Sequence, residues 1–207
     1  MGLLRITRFG SRPLSLEVAG KQYNPYHYAK RAVKFRKWKF RKRGDNYAVV
    51  HDGQVMLLSK YHCAATVSEY YTQWSYDYIP TEFSLKGLTV LDAGAGCGET
   101  AHLFLENGAA KVIAIEPDPS ACENLRQTIK VNDWPVEVIQ EPFKLEHLKL
   151  KFDFCKMDIE GGEAELLKLD ALPFPISIEV HSEELKRQFE ERFNLHRGVS
   201  VTIRRNF

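Results

Sequence analysis

One glycine-rich segment contains the residues whose types and spacing most clearly predict chemistry. It has the sequence VLDAGAGCG over residues 90–98, in which a G-x-G-x-G spacing follows the acidic residue Asp92. Glycines in a turn between a strand and a helix let the backbone approach a ligand closely, because no β-carbon is in the way. The segment therefore predicts a ligand-binding loop, although a tight turn without a ligand would also explain the glycines.

The position of Asp92 distinguishes between the two classes of ligand that such a loop binds. Dinucleotide loops have the spacing G-x-G-x-x-G and place a pyrophosphate at the helix N-terminus, where a nearby carboxylate would repel it. A carboxylate instead suits a cation with an amino group, such as S-adenosylmethionine (SAM) with its sulfonium and ammonium. Glu116, 20 residues beyond Gly96, could accept two hydrogen bonds from a ribose diol, but NAD sites place an acid similarly. We predict that the cofactor is SAM.

Polar residues also follow two later apolar runs, and they are the candidates for catalysis. Asp158 and Glu160 follow one run, and Glu179 and His181 end the next. An imidazole has an ordinary pKa of about 6.5, so His181 is the best candidate base for a hydroxyl acceptor, which Asp158 and Glu160 could orient. A capping role for Glu160 and a surface position for His181 are the structural alternatives. The other six histidines have no metal-ligand spacing, so we predict no metal site.

These residues need a scaffold that brings the ends of several strands together, and the chain beyond residue 87 has the pattern of one. Short runs rich in Val, Ile and Leu alternate with helical segments, which predicts parallel strands joined by right-handed crossovers. The predicted strands are 88–91, 111–115, 136–139, 152–157, 176–180 and 199–205, and the predicted helices are 99–107, 163–168 and two that start at Asp118-Pro119 and Ser182. We predict an α/β fold, a Rossmann-like doubly wound sheet, in which ligands bind at the carboxyl ends of the strands.

The same residues resemble those of a known enzyme class. The segments VLDAGAGCGET (90–100) and VIAIEPDP (112–119) are similar to the first two motifs of class I SAM-dependent methyltransferases, and KMDIEGGE (156–163) resembles the signature of FkbM-type methyltransferases. The resemblance covers residues 88–181 and implies SAM as the methyl donor, with hydroxyl groups of sugars or secondary metabolites as acceptors. The cofactor-binding residues that it implies are Asp92, Gly94, Ala95, Gly96, Gly98, Glu116, Pro117, Glu141, Pro142 and Asp158.

The first 80 residues differ in character, and we predict a domain boundary between them and residues 81–207. They carry 14 Lys and Arg against 5 Asp and Glu, a net charge of +9, whereas the remainder carries 15 against 22, a net charge of −7. Two apolar runs around Asp52-Gly53 predict a β-hairpin over 47–58, and an aromatic stripe predicts a helix over 64–80. We expect this extension to recognise the substrate or to cover the active-site mouth.

The most basic part of the extension runs from Lys30 to Arg43. It has nine basic residues in fourteen, interleaved with Phe35, Trp38 and Phe40. Basic side chains supply affinity for phosphates and aromatic rings stack on unpaired bases, so this segment could bind RNA. A solvated face whose aromatics pack on the protein, and an acidic partner or a membrane surface, are the alternatives. The chain has neither a [DN]-P-P-[FY] sequence nor a Pro-Cys pair, which argues against methylation of a base amine or of cytosine C5.

Composition excludes several other classes of protein. No apolar run is long enough to cross a membrane, the start of the sequence has no signal-peptide pattern, and Ile6 stands where a myristoylation signal has Ser or Thr, so a cytoplasmic location is expected. The four cysteines form no C-x-x-C pair, which argues against a zinc knuckle or a redox motif.

We expect a SAM-dependent methyltransferase that methylates an oxygen of a small molecule or glycan. An RNA methyltransferase and a protein that binds SAM without catalysis are the alternatives, and the oligomeric state is open.

Overall fold

The chain forms two compact units, as a computed structural model of residues 4–7, 15–18, 21–23, 39–44, 46–51, 53–59, 62, 78–80, 83–193 and 199–203 shows. The N-terminal unit comprises residues 1–74 and 123–134, and the sheet unit comprises residues 75–122 and 135–207. The role expected for residues 1–80, with a boundary at residue 80, stays a prediction. The described residues contain no helix that is both long enough and apolar enough to cross a membrane.

The sheet unit is built on six parallel strands. In chain order they are β7 (Thr89–Ala93), β8 (Lys111–Ile115), β9 (Val136–Ile139), β10 (Phe154–Met157), β11 (Ile176–Val180) and β12 (Val199–Ile203). Their order across the sheet is β12-β11-β10-β7-β8-β9, and every neighbouring pair is parallel. The chain winds outward in one direction from β7 and in the other from β10. This is the predicted doubly wound sheet, and the predicted fold class is confirmed.

The helices between the strands follow the local sequence signals. They are α1 (Glu99–Glu106), α2 (Pro119–Asn132) and α3 (Glu183–Arg192), with 3₁₀ helices at Leu145–Lys149 and Glu163–Lys168. Helix α1 ends before Gly108, which has a φ of 91° and so adopts the left-handed conformation that a glycine accepts at a helix C-terminus. The Asp118 side chain accepts a 2.6 Å hydrogen bond from the N–H of Ala121, and the Ser182 side chain accepts one from Leu185, as capping residues do.

Three of the differences from the predicted strand and helix boundaries have a clear structural reason. Strand β7 extends to Ala93 because Asp92 pairs in register with Ala114 of β8 and Lys156 of β10, so the strand continues through the acid. Strand β10 starts at Phe154, two residues later than predicted. The predicted helix over 163–168 is a 3₁₀ helix, because only six residues separate Gly162 from the extended backbone of Leu169.

Apolar side chains cover both faces of the sheet. One cluster is centred on β10 and β11 and includes Met157, Ile178 and Phe189 of α3. The second cluster contains Phe104 of α1, Phe154 and Tyr78. All five residues of β11 are buried, as expected when helices lie on both faces of a parallel sheet. The site residues at the strand ends therefore stand on a rigid base.

The N-terminal unit contains two three-stranded antiparallel sheets. Their strands are β1 (Leu4–Thr7), β2 (Ser15–Val18) and β3 (Lys21–Tyr23) in one sheet, and β4 (Lys39–Arg43), β5 (Asn46–His51) and β6 (Gln54–Ser59) in the other. The predicted hairpin is confirmed, since His51 pairs with Gln54 and Gly53 has a φ of 84°. The predicted helix over 64–80 lies outside the described residues except for its last three, which form a turn and a bend.

The edge strand β6 is covered by polar side chains of residues 123–134. The Asn132 side chain bonds both the N–H and the carbonyl of Val55, at 2.8 and 2.7 Å, and the Thr128 hydroxyl accepts a 2.9 Å hydrogen bond from the N–H of Leu57. These bonds satisfy backbone groups that an edge strand would otherwise leave available for pairing with another chain.

Candidate active site

The candidate site lies where the winding of the sheet changes direction. In open α/β sheets, ligands bind outside the carboxyl ends of the strands at this switch point. Strand β7 leads into the glycine loop there, and β10 leads into Asp158. The two are in direct contact, because the N–H of Asp158 donates a 3.0 Å hydrogen bond to the carbonyl of Ala93. The structure therefore brings the predicted cofactor loop and the predicted catalytic group to one crevice.

Close approach of Asp158 explains why residue 94 is a glycine. Gly94 has a φ of 79°, and a β-carbon there would lie 1.7 Å from the carbonyl oxygen of Asp158. Gly96 and Gly98 also have positive φ values, of 54° and 99°. The N–H groups of Gly94 and Ala95 both donate to the carbonyl of Ile115, which holds the loop against the end of β8. The loop conformation is therefore accessible to glycine and to very few other residues.

Asp92 has partners inside the protein. Its side chain is fully buried, with Oδ2 accepting a 2.5 Å hydrogen bond from the hydroxyl of Thr100 and Oδ1 lying 3.3 Å from Nζ of Lys156. Lys156 is also buried, and its ammonium donates a 2.8 Å hydrogen bond to the carbonyl of Gly94. Burial alone lowers the pKa of Lys156, but the charges of Asp92 and Asp158 outweigh it, so the pKa is raised. The predicted role of Asp92 towards SAM stays a prediction.

Glu99, the first residue of α1, is a second carboxylate in the loop. Its Oε1 would lie 2.8 Å from a β-carbon on Gly96, so the side chain folds back over the glycine loop. Its Oε2 is shielded from solvent and accepts no hydrogen bond from the residues that the structure describes. Desolvation raises the pKa of Glu99 to about 7, against the lowering effect of hydrogen bonds from nearby backbone groups. The charge of the Glu99 carboxyl group therefore depends on the charge of a ligand that binds next to it.

Glu116 lies beside the loop at the end of β8, as predicted. Its Oε2 accepts a 2.9 Å hydrogen bond from the N–H of Gly96, and its Oε1 accepts one from the N–H of Asp118. The next residue, Pro117, is exposed. The carboxylate is thus oriented towards the glycine loop, where a ribose diol could meet it. Its role in cofactor binding stays a prediction, as does that of Pro117.

Glu141 and Pro142, the residues predicted near an adenine, follow β9. The Glu141 carboxylate accepts hydrogen bonds from Nζ of Lys144, at 2.5 Å, and Nε2 of His147, at 2.9 Å. The hydrogen bonds from Lys144 and then His147 lower the pKa of Glu141. His147 Nδ1 accepts from the backbone N–H of Lys144, so Nε2 must carry the proton that it shares with Glu141. Pro142 is exposed, and the roles of both residues at the cofactor stay predictions.

The predicted catalytic residues lie together after β10 and β11. His181 Nε2 is 3.7 Å from Asp158 Oδ1 and 3.4 Å from Glu160 Oε2, and its Nδ1 is 3.7 Å from Glu163 Oε1. The side chains of Asp158 and His181 are mostly buried, whereas Glu160 is largely exposed. Glu160 has a φ of 54°, an uncommon left-handed conformation for a residue other than glycine. The turn that it forms leads the chain back so that Glu163 faces His181.

Tyr78 connects this group to Glu179, which the sequence places at the same strand end. Its hydroxyl lies 3.0 Å from Asp158 Oδ2 and within hydrogen-bond distance of Glu179 Oε2. It has one proton, so it donates to one of the two carboxylates at a time. The ring of Tyr78 is buried and lies 5.2 Å from Nζ of Lys156. Tyr78 therefore links the acidic group at β10 and β11 with the Asp92–Lys156 pair.

Sequence reasoning did not single out four of these residues: Tyr78, Glu99, Lys156 and Glu163. A lysine within the apolar run 152–157 was a usable signal, because a lysine in a buried strand requires a charged partner. Glu163 was visible as the last acid of the KMDIEGGE segment. Nothing in the local pattern around Tyr78 indicated its position, since it reaches the site across 80 residues of chain.

The chain has a local sequence similarity to a known methyltransferase. No protein-family model matches the chain. A ribosomal protein L11 methyltransferase of Pelobacter propionicus is 35% identical over 74 residues, which are 36% of this chain and 24% of that protein. The chain thus spans about a quarter of the length of this relative.

Two solved structures are similar in fold. The C-terminal domain of precorrin-6Y C5,15-methyltransferase from Rhodobacter capsulatus has a TM-score of 0.44 and 19% identity, covering 68% of this chain and 72% of that one. TYW2 of M. jannaschii in complex with AdoMet has a TM-score of 0.45 and 18% identity, covering 61% and 57%. The local sequence match is to a methyltransferase and agrees with the predicted reaction class and the predicted cofactor, SAM. Membership of the FkbM-type family stays a prediction.

Proposed function

We propose that this protein is a SAM-dependent methyltransferase, of the FkbM type suggested by its sequence, that methylates a hydroxyl oxygen of a small molecule or glycan. The observation that carries the proposal is the contact at the carboxyl ends of β7 and β10, where the backbone before the glycine loop bonds Asp158, which stands beside Glu160 and His181. When bound, SAM supplies a methyl group on a sulfonium, which is a good leaving group.

The residues of the loop fit this cofactor. A β-carbon at Gly94 would collide with the backbone of Asp158 and one at Gly96 with the side chain of Glu99, so glycines at these positions let the loop pack closely against both residues. Glu116 is already oriented at the loop by the N–H of Gly96, and a ribose diol could take over that carboxylate. Glu99 adds a carboxyl group with one solvent-shielded oxygen, which suits the ammonium of the methionine end.

The group after β10 and β11 provides what a hydroxyl acceptor requires. Alignment of the acceptor with the methyl group supplies much of the rate, and removal of the hydroxyl proton adds about 10²- to 10⁴-fold. We assign these tasks to Asp158, Glu160 and His181. Asp158, Glu160 and Glu163 each have a carboxylate oxygen 3.4–3.7 Å from a ring nitrogen of His181.

The first test is calorimetric titration of the full chain with SAM, with S-adenosylhomocysteine and with NADH. Micromolar affinity for the first two and no heat with NADH would support the assignment. No affinity for SAM would overturn the assignment, and binding of NADH alone would identify the glycine loop as a dinucleotide site.

The second test compares variants in methyl transfer to a panel of hydroxyl compounds, glycans, RNA and ribosomal protein L11. His181→Gln should lower turnover at least about 100-fold while the Kd for SAM changes little. Asp158→Asn should lower turnover by a similar factor and, as Asp158 is also a predicted cofactor-binding residue, should weaken the binding of SAM. Glu183→Gln, on the exposed first turn of α3, is the matched control and should keep full activity. SAM binding without transfer to any member of the panel would favour the non-catalytic alternative.

A second candidate function, RNA methylation, is favoured by one observation on the N-terminal unit. Strand β4 presents four exposed basic residues, Lys39, Arg41, Lys42 and Arg43. Residues 30–38, the remainder of the basic segment, lie outside the described residues. Exposed cations in a row provide affinity for a phosphate backbone, and that affinity falls steeply with salt.

Fluorescence anisotropy with single-stranded RNA at several salt concentrations tests this second function. The double variant Arg41→Gln/Arg43→Gln should weaken binding and make the salt dependence shallower, by about one unit of slope for each phosphate that is no longer neutralised. Glu137→Gln together with Glu146→Gln serves as a control on the sheet unit. Affinity that does not depend on salt would contradict an RNA-binding role for this strand.

A further inference from the structure

A group of three side chains at the mouth of the crevice has the composition of a metal site. It consists of Asp158, Glu163 and His181, called here the acid–imidazole cluster, and one ligand atom from each lies within 4.8 Å of the others. Two carboxylate oxygens and one imidazole nitrogen form a mixed donor set that suits divalent ions such as Mn²⁺ and Zn²⁺. The cluster combines residues from two different strand ends, so only the folded chain assembles it.

The protein leaves the inward-facing atoms of this cluster unsatisfied. Asp158 Oδ1 and both ring nitrogens of His181 are shielded from solvent, and none of them makes a hydrogen bond within the part of the chain that the structure describes. The nearest carboxylate oxygens lie 3.4–3.7 Å from the ring nitrogens. Buried polar atoms without partners are costly, so they indicate either a bound ligand or a charge.

The two carboxylates are held in fixed orientations by other groups. Glu163 is fully buried, its Oε1 accepts a 3.0 Å hydrogen bond from the N–H of Ile159, and its Oε2 accepts a 2.9 Å hydrogen bond from the N–H of Gly161. Asp158 Oδ2 lies 3.0 Å from the hydroxyl of Tyr78, which leaves Oδ1 facing His181. Such outer contacts orient ligands in metal sites and keep the lone pairs that remain directed at the ion.

We propose that the acid–imidazole cluster binds one divalent transition-metal ion through Asp158, Glu163 and His181. The proposal departs from the sequence prediction of no metal, which rested on the spacing of histidines. With three protein ligands, the ion keeps open positions for water or for an oxygen of the acceptor. The competing explanation is that His181 is a cation held by its carboxylate neighbours, and the test separates the two.

The consequence for substrate choice rests on the proposed methyltransferase function. An ion at this place would bind the acceptor hydroxyl and lower its pKa, so that the proton could leave to Glu160 or to water. His181 would then be a ligand and not the base. The preferred acceptor would carry two neighbouring oxygens, because a chelating pair occupies two open positions on the ion. We therefore expect vicinal diols or catechol-like compounds to be better acceptors than isolated hydroxyls.

The direct test is titration of the metal-stripped full chain with Mn²⁺, followed by the loss of the free-ion electron paramagnetic resonance signal. We expect one saturable site per chain. Asp158→Asn and His181→Gln should each weaken it at least about 10-fold, whereas Glu165→Gln should leave it unchanged. Glu165 is an exposed carboxylate on the same 3₁₀ helix as Glu163, which makes it a matched control.

Glu163→Gln is a less direct variant, because Glu163 also accepts two backbone hydrogen bonds and the change could unfold the turn. The conclusion therefore depends on Asp158→Asn and His181→Gln, whose folding is checked by thermal unfolding. Absence of saturable Mn²⁺ binding at millimolar concentration, with Zn²⁺ equally silent in calorimetry, would overturn the proposal in favour of a charged His181. Equal binding by all variants would overturn it as well.

The activity measurement is kept separate from the binding measurement. EDTA should abolish methyl transfer to a vicinal diol and Mn²⁺ should restore it, while the Kd for SAM stays the same in both conditions. Transfer that is insensitive to EDTA would refute the catalytic role of the ion even if Mn²⁺ binds. Failure to bind SAM would refute the proposed methyltransferase function and leave the Mn²⁺ titration as an independent result.

Discussion

The site has two halves, a predicted cofactor half around Asp92, Glu99 and Glu116 and a predicted acceptor half around Asp158 and His181, and they differ in how many of their buried polar groups have partners within the described residues. In the cofactor half, Asp92 is paired with Lys156 and Thr100, and Glu116 accepts two backbone hydrogen bonds. In the acceptor half, Asp158 Oδ1 and the ring nitrogens of His181 make no hydrogen bond within the described residues, and the facing carboxylate oxygens and imidazole nitrogens lie 3.4–3.7 Å apart. Asp92 Oδ1 and Glu99 Oε2 of the cofactor half also make no hydrogen bond within the described residues, but Asp92 Oδ1 has the Lys156 ammonium 3.3 Å away. We therefore expect a cationic ligand in this half to have most effect on Glu99.

The largest expected effect tests whether the two halves depend on their contact at Gly94. Gly94→Ala should abolish SAM binding and strongly destabilise the sheet unit, because the added β-carbon would lie 1.7 Å from the Asp158 carbonyl oxygen. Gly87→Ala is the matched control, since Gly87 has the same φ of 79° and nothing within 4 Å of a β-carbon. The control should cost only the left-handed strain, about 1–2 kcal/mol. Calorimetry measures the binding of SAM and urea unfolding measures the stability. Equal losses in the two variants would show that the close contact with Asp158 is not the cause.

The second prediction concerns the pair that satisfies the cofactor half. Lys156→Met should lower the free energy of unfolding by about 3–5 kcal/mol, because it leaves the buried charge of Asp92 without its cation. The double variant Asp92→Asn/Lys156→Met should recover much of that loss. Urea unfolding of the four proteins in the cycle measures the coupling. Additive losses would show that the 3.3 Å contact contributes little and that the cofactor half is held together in another way.

The third prediction concerns Glu99 in the cofactor half. Its pKa is raised to about 7 in the folded protein from the ordinary 4.5, so the unfolded chain loses its proton first as the pH rises. Stability should therefore fall between pH 4.5 and 7 and stay level above that range. Glu99→Gln should flatten this decline and raise stability at pH 8 by up to about 3.5 kcal/mol, since the pKa rises from 4.5 to about 7 and each pKa unit corresponds to about 1.4 kcal/mol.

A cationic ligand should reverse the behaviour of Glu99. If the SAM ammonium lies against this carboxylate, SAM binding at pH 6.5 releases a proton, which calorimetry in buffers of different ionisation enthalpy detects. Glu99→Gln removes that proton release. A wild-type protein that binds SAM without releasing a proton would place the ammonium elsewhere and leave Asp92 as the carboxylate to examine.

The smallest expected effect tests the link between the halves. Tyr78→Phe removes the hydroxyl that lies near Asp158 and Glu179, at an expected cost of about 1–2 kcal/mol in unfolding free energy. Because Tyr78 orients Asp158, turnover should fall and the affinity for Mn²⁺ should weaken, while SAM binding is unchanged. Tyr47→Phe, in the N-terminal unit, is the comparison variant. A fall in SAM affinity in Tyr78→Phe would show that the halves are coupled more tightly than the contacts suggest.

Strand and turn positions were predictable wherever the cause is local. The run at Lys111–Ile115, the cap at Asp118-Pro119, the hairpin at Gly53 and the end of α1 before Gly108 each depend on a few neighbouring residues. The 3₁₀ form of Glu163–Lys168 was not predictable, because a six-residue helical segment takes its pitch from the elements at its ends. The extension of β7 through Asp92 depends on pairing with two other strands.

The features of the site also fall into those that the local sequence specifies and those that depend on tertiary contacts. The sequence by itself determined the glycine loop, the acids at the strand ends and the parallel order that brings them together, because left-handed turns and strand alternation are properties of short stretches of chain. Only the tertiary structure decided that Asp92 meets Lys156, that Tyr78 reaches Asp158, and that Glu163 faces His181. These contacts join residues up to 80 positions apart. The partner of a buried charge is a group that folding brings into the same region away from water, so the local sequence does not specify it.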